Sequence, residues 1–366
     1  MNSRLHIAVI EGDGIGVDVT QAAIAVIEEA TKQVGGFSLS FDPIAAGAGY
    51  YRETGVDIEP GGEEACGKAD AILLGAIGLP DTRYPNGTEI SPHLRLRERY
   101  QLYAGIRPVK AYPNGIQKLV DPRAANIDLI ILRESTEGLF YSAAVHDRSI
   151  VVEDVEVSDI LKITRATTEK LHNFAFKLAE KRKQRGGKGL VTCVDKANVF
   201  KSMAFFRKIY DEISPAYPDI KTGYNYVDAQ ALDLIRKPWE FDVLVMENMF
   251  GDILSDLAGG LVGGMGMASC AEIGDETGLF QPAHGSAPDI IGMDAANPLA
   301  AILSGALMLD YLGEKLGINA LCVAGERIDQ AVEKGFAENQ IHPKEFGGDM
   351  GTKAVTNTVI DTIRDM

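Results

Sequence analysis

Apolar positions follow two periods along the chain, and their alternation lays out an α/β protein. Leu5–Ile10 is a continuous apolar run ended by Glu11-Gly12-Asp13-Gly14-Ile15-Gly16, after which Val19, Ala22, Ala23, Val26, Ile27 and Ala30 recur at helical spacing. This predicts a strand, a glycine turn and a helix. Further strands are predicted at Phe37–Ala45 and Ala69–Gly75, with a helical segment around Gly61–Gly67 between them. Asn126–Glu134, Gly189–Val194 and Phe241–Met246 read as buried strands, and Ser158–Glu180 as a long helix capped by Ser158-Asp159. The segment LFYSAAVHDRSIVVED after the 126–134 strand is β-rich and has no helical partner. A two-stranded ribbon is only marginally stable alone, so it is expected to project and pair with another subunit. Helices at about Pro298–Leu312 and Glu326–Phe336, and a third after Thr352, close the chain. Strands alternating with helices imply a largely parallel sheet.

Composition narrows the partners. At 366 residues, with 46% hydrophobic and 24% charged content, the chain is too long for one ordinary domain, and two are expected. A formal charge of −16 disfavours nucleic acid and anionic membranes. The one basic block, KRKQRGGK at 181–188, suits an exposed helix end. Cys66, Cys193, Cys270 and Cys322 form no C-x-x-C pair, so they read as thiols of a reducing, cytoplasmic compartment and not as zinc ligands. The first residues enter a strand almost at once and no apolar run reaches membrane-spanning length, so secretion and insertion are not expected.

Candidate chemistry concentrates in a few stretches. In Asn248–Gly260, NMFGDILSDLAGG, Asp252 and Asp256 stand at i and i+4 behind a glycine able to open a helix, and share one helical face. Such a pair suits a divalent cation completed by ligands from elsewhere, although a solvated helix face places aspartates the same way. The 88–108 segment carries Arg95, Arg97, Arg99 and Arg107 in an acidic chain, and Arg133 ends the 126–134 strand. Guanidinium forks of this kind hold carboxylates; Arg95 and Arg99 fit better as a basic surface. Lys196 follows the 189–194 strand, and Asp228 follows Tyr224–Val227. The opening glycine turn invites a dinucleotide reading, but G-x-G-x-x-G would need glycine where Val17 stands. The sparse-apolar stretch 276–298 is a long loop of the functional kind and holds His284, Gly285, Ser286, Asp289 and Asn297.

Taken in order, VDKANVF, YVDA, NMFGDILSDLAGG and HGSAPDI resemble one family across nearly the whole chain: the metal-dependent β-decarboxylating dehydrogenases of 3-isopropylmalate, isocitrate, homoisocitrate and tartrate or D-malate. The resemblance implies a two-domain isopropylmalate/isocitrate dehydrogenase-like α/β fold, not a Rossmann fold. Residues 1–104 and 263–366 would form the large NAD-binding domain, and 105–262 a small dimer-building domain with a β-arm around 139–154. It further implies that Arg97, Arg107 and Arg133 hold substrate carboxylates. Asp252 and Asp256 would bind Mg²⁺ or Mn²⁺ together with Asp228 of a second subunit, which also contributes the catalytic Lys196. NAD would lie on His284, Gly285, Ser286, Ala287, Asp289 and Asn297, with His284 and Asn297 at the adenine. Asp289 at the ribose would favour NAD over NADP.

The chain departs from the family's pattern in two respects. Its catalytic tyrosine stands seven residues after the strand-end arginine, which here is Phe140; either Tyr141 supplies the last proton, or a water or another residue does. The C3-substituent positions are Ile90, Ser91, His93 and Leu94, matching neither the isopropylmalate set nor the isocitrate set. The expected reaction is oxidative decarboxylation of a 3-substituted malate by a homodimer with shared sites. 3-Isopropylmalate is first choice, and a more polar or tricarboxylic malate is second. A non-catalytic regulatory subunit would be expected to lack Lys196 or the aspartates, and a plain nucleotide-binding module would leave the arginines unexplained.

Overall fold

The structure, a computed structural model, describes residues 3–143 and 146–366, and the chain divides into two compact units. One comprises Met1–Tyr100, Tyr112–Ile116 and Gly263–Met366; the other comprises Gln101–Ala111 and Gln117–Val262. In chain order the first unit opens with β1 (Ser3–Gly12), α1 (Gly16–Val34), β2 (Phe37–Pro43), α2 (Ala48–Thr54), α3 (Gly62–Lys68), β3 (Ala71–Ala76) and α4 (Pro92–Arg99). The second unit contains β4 (Ala104–Lys110), β5 (Asp128–Glu134), β6 (Ile150–Val152), β7 (Glu156–Ser158), α5 (Arg165–Gln184) and β8 (Leu190–Asp195). It continues with α6 (Lys201–Ile213), β9 (Lys221–Tyr226), α7 (Val227–Arg236), β10 (Val243–Met246) and α8 (Asn248–Leu261). The first unit resumes with β11 (Ser269–Ile273), β12 (Gly278–Pro282), α9 (Leu299–Leu316), α10 (Asn319–Ala337) and α11 (Thr352–Arg364).

In the first unit the strand order is β2-β1-β3-β12-β11, parallel except for the β11·β12 hairpin. β3 is buried throughout and β1 from Ile7 to Ile10, as the short apolar runs require of central parallel strands. The glycine turn after β1 has a mechanical use. Gly14 has φ +62°, and a Cβ there would meet the Ser286 carbonyl oxygen at 2.0 Å, while the Ile15 amide donates to that same oxygen at 2.8 Å. The buried Asp13 carboxylate next to it accepts the amides of Ala48, Gly49 and Gly78 at 2.7–2.8 Å. The turn receives another segment of its own unit.

In the second unit the order is β4-β5-β10-β8-β9, with β4 antiparallel to β5 and the other pairings parallel. Leu129 and Ile131 of β5, Leu244 and Met246 of β10, and Leu254 and Ala258 of α8 are fully or almost fully buried in one core. The consequence is positional: β5, β10, β8 and β9 run the same way, so their carboxyl ends lie along one edge.

Several predicted features shift. The long helix starts at Arg165, not Ser158: Ser158 pairs with Ile150 in the β6·β7 ribbon, and the Thr164 hydroxyl caps α5 by accepting the Thr167 amide. Arg182 of the basic block is not merely an exposed helix end, because its Nε donates to the buried Asp242 at 2.6 Å. The 276–298 stretch is not loop throughout, since β12 begins it. The glycine in NMFGDILSDLAGG does not open α8. The helix begins at Asn248, with Glu247 accepting the Met249 and Phe250 amides at 3.1 and 2.7 Å. Of the β-rich ribbon, Ala144 and Val145 lie outside the described residues. Among the described residues no helix is long and apolar enough to cross a membrane.

Candidate active site

The parallel strands of the second unit deliver their chemistry at their carboxyl ends, where open α/β sheets hold ligands. β5 ends in Arg133-Glu134, β10 leads through Glu247 into α8 with Asp252 and Asp256, β8 ends at Asp195 before Lys196, and β9 runs into α7 with Asp228. β4 adds Arg107. Arg133 pairs across β4·β5 with Gly105, two residues from Arg107, so both arginines project on one face as diagonal neighbours. Both are buried.

Arg133 is held on three sides. Its Nε and Nη2 donate to Asn248 Oδ1 at 2.9 and 2.7 Å, its Nη1 donates to Asp252, and its guanidinium lies 4.9 Å from the Phe140 ring centroid. Asn248 also donates to the Glu137 carbonyl at 3.1 Å, tying the arginine to the turn after β5. The approach depends on Gly251: a Cβ there would stand 2.6 Å from the Arg133 Cβ. Burial is the main force raising the Asp256 carboxyl above the usual carboxylate range, the Asp252 charge adds to it, and Arg107 and Arg133 partly offset both.

Lys196 and Asp228 meet each other. The ammonium donates to Asp228, and this hydrogen bond lowers the Asp228 carboxyl. Among the described residues no three His, Cys, Asp or Glu side chains converge as a metal site, so Asp228 does not join Asp252 and Asp256 within one chain. Phe140, not Tyr141, lies on Arg133; the Tyr141 ring has the Arg148 guanidinium and the Lys162 ammonium each 4.5 Å from its centroid.

In the first unit Arg97 is buried on α4 and its Nη2 meets the fully buried Glu272 of β11 at 3.1 Å. Ser91, the residue before α4, donates through its hydroxyl to the Glu89 carbonyl at 3.2 Å; His93 and Leu94 are half-buried in the first turn. Ile90 is buried in the core. Arg95 and Arg99 pair with Asp57, Glu63 and Glu64. Burial lowers the His284 imidazole from its ordinary value; Nδ1 lies 2.9 Å from the Gly285 carbonyl, while among the described residues the buried Nε2 has no partner. Ser286 donates to the Gly78 carbonyl, Ala287 has φ +37°, and Asp289 is exposed. Asn297 is buried and donates to Glu345 Oε2 at 2.9 Å. Asn248, Glu272 and Glu345 were not singled out from sequence. Asn248 stands in the aspartate motif itself, whereas nothing local marks the other two.

By comparison with known proteins, this α/β chain is a dehydrogenase of the decarboxylating hydroxy-acid class. It belongs to the isocitrate/isopropylmalate dehydrogenase family, whose model matches residues 6–363. The chain is 40% identical over 360 residues to the 3-isopropylmalate/3-methylmalate dehydrogenase of Methanocaldococcus jannaschii, covering 98% of this chain and 99% of that one. It is 37% identical over 368 residues to the homoisocitrate dehydrogenase of the same organism, covering 98% of each. The isocitrate dehydrogenase structure from Methylococcus capsulatus superposes with a TM-score of 0.83 at 31% identity, covering 100% of both chains.

Proposed function

We propose that the chain carries out NAD- and divalent-metal-dependent oxidative decarboxylation of a 3-substituted malate, with 3-isopropylmalate as the preferred substrate. The observation that carries this is the grouping of Arg107 and Arg133 on one sheet face with Asp252 and Asp256 one helical turn apart beside them. The residues fit a metal: Asp256 is raised in part by the Asp252 charge, and a divalent cation relieves such like-charge strain. They also fit NAD, because His284 Nε2, without a partner among the described residues, is a buried acceptor open to a donor, and exposed Asp289 repels a 2′-phosphate.

Arg97, Arg107 and Arg133 bind and orient the substrate carboxylates, with Asn248 and Gly251 fixing the Arg133 plane. Lys196 accepts the proton of the C2 hydroxyl, and NAD, when bound, would supply the hydride acceptor. Asp252 and Asp256, with Asp228 of a second copy, would hold Mg²⁺ or Mn²⁺, which would supply Lewis acidity toward the 2-oxo group. A proton then returns to C3; Phe140 has no hydroxyl to give, and Tyr141 is the nearest one in sequence. The enzyme works as a homodimer in the reducing cytoplasm, where its cysteines stay thiols.

Glu272 favours a dicarboxylate, because Arg97 already gives part of its fork to an internal anion. The polar Ser91 and His93 at the C3 positions favour the second reading, isocitrate or homoisocitrate. A difference of one or two methylenes is worth only about 1–3 kcal/mol, whereas an unpaired polar group costs as much or more. The test is kcat/KM for 3-isopropylmalate, isocitrate, homoisocitrate, D-malate and tartrate, with NAD and NADP side by side. Tenfold preference for a carboxylate- or hydroxyl-bearing side chain overturns the isopropylmalate assignment, and equal turnover with both cofactors overturns the NAD assignment.

A further inference from the structure

We propose that Arg207 is the positioning residue of the Lys196–Asp228 pair, one guanidinium on α6 fixing both the turn after β8 and the start of α7. The inference rests on the catalytic role proposed for Lys196. Asp195, the last residue of β8, is 0% exposed, and its carboxylate receives Arg207 Nε at 2.7 Å on Oδ2 and Arg207 Nη2 at 2.8 Å on Oδ1. A buried carboxylate needs such a partner, and the two parallel bonds fix its plane as well as its charge. Oδ1 also accepts the Ala197 amide at 2.8 Å, and Oδ2 the Cys193 thiol at 3.6 Å. Lys196 stands between Asp195 and Ala197, so its backbone is clamped on both sides by one carboxylate. Its carbonyl accepts the amides of Val199 and Phe200 at 3.0 and 3.1 Å, which closes the turn. From this fixed backbone the lysine side chain reaches Asp228.

The same guanidinium reaches the segment that leads into Asp228. It lies 5.2 Å from the Tyr226 ring centroid and 5.3 Å from that of Tyr224, and the Lys196 ammonium lies 5.8 Å from the Tyr226 ring. Tyr226 is the residue before α7, two positions ahead of Asp228. Tyr224 donates its hydroxyl to Asp211, one turn beyond Arg207 on α6, at 2.8 Å, so α6 grips the end of β9 twice. Lysine at 207 would keep the charge and lose the planar fork and the ring contacts.

The experiment compares purified full-length R207M, R207K, K196M and R207M/K196M with the unchanged chain, using 3-isopropylmalate or whichever malate of the panel turns over fastest. It reads kcat, KM and melting temperature. The expected result for R207M is a loss in kcat of tenfold or more, about what a misplacement near 1 Å produces, with KM within twofold. R207K recovers part of the loss, and R207M/K196M is no slower than K196M alone, because Arg207 acts through Lys196. A folded R207M with undiminished kcat overturns the proposal, and so does a double variant slower than K196M by the full R207M factor. If R207M fails to fold, R207K decides on the kcat-against-KM split. Undiminished kcat in K196M would instead overturn the catalytic reading of Lys196, an outcome separate from the others.

Discussion

His172 is fully buried on α5, its ring centroid 4.5 Å from that of Phe206 and 5.4 Å from that of Tyr210, and its Nε2 lies 3.1 Å from the Phe206 carbonyl, which accepts. Burial lowers this imidazole from 6.5 to about 3, so between those values the unfolded chain binds a proton that the folded chain refuses. The stability from burying the neutral ring is therefore complete above pH 6.5 and is lost as pH falls toward 3, at about 1.4 kcal/mol per pH unit. His172→Phe removes this dependence. Urea unfolding at pH 7.5 and pH 5 should show the variant gaining about 2 kcal/mol on the unchanged chain at the lower pH, and a constant difference would contradict it. The Tyr141 hydroxyl is tested through Tyr141→Phe: if it returns the proton to C3, kcat falls roughly 10²-fold or more while single-turnover hydride transfer persists. Unchanged kcat removes Tyr141 from the mechanism. Phe140 was legible by counting from Arg133, because the spacing within one turn is local. The partner of Arg97 was not, since Glu272 lies 175 positions away on β11, an interval that carries no local pattern.

α8 shows what one element requires of its sequence. Gly251→Ala would press a methyl group into Arg133, and overpacking of this kind costs about 1–3 kcal/mol. A Cβ at Gly260 in the same helix would meet nothing within 4 Å among the described residues, so Gly260→Ala should stabilise by about 1 kcal/mol through helix propensity alone. Melting temperatures should move in opposite directions, and kcat/KM should fall only for Gly251→Ala. Equal shifts would remove the packing argument. β1, β5, β8 and β10 were legible because strands buried on both faces read as apolar runs. β4 was missed because AGIRPVK carries Pro108, Arg107 and Lys110, and β11 because SCAEI places Glu272 inside a strand flanked by glycines. Both belong to antiparallel pairings, which alternation of strands and helices does not announce. α5 was begun too early because Ser158 looks like a cap in sequence, and only its pairing with Ile150 assigns it to β7.

The whole molecule carries features that one copy leaves unused. Ile150, Val151 and Val157 stand 58%, 64% and 68% exposed on the β6·β7 ribbon, and a two-stranded apolar ribbon is a surface for pairing. Lys196 pairs with Asp228 and Arg133 with Asp252, and the proposed function has Lys196 and Asp228 serve a second copy. In a mixture of Lys196→Met and Asp252→Asn chains, a mixed dimer would hold one site with both defects and one with neither. Random mixing should then restore about a quarter of the unmutated activity, since half the dimers are mixed and each has one good site. No recovery after exchange of subunits would mean that each chain completes its own site.

The most direct test of decarboxylating dehydrogenase chemistry at Arg107, Arg133, Asp252 and Asp256 is the product ratio. NADH and released CO₂ should be measured together from 3-isopropylmalate, or the fastest malate of the panel, with Mg²⁺ or Mn²⁺ and with chelator. The account predicts equal amounts of the two products, loss of both with chelator, and a fall in both of roughly a hundredfold or more in folded Asp252→Asn. NADH formed without CO₂, or full turnover in Asp252→Asn, would contradict it.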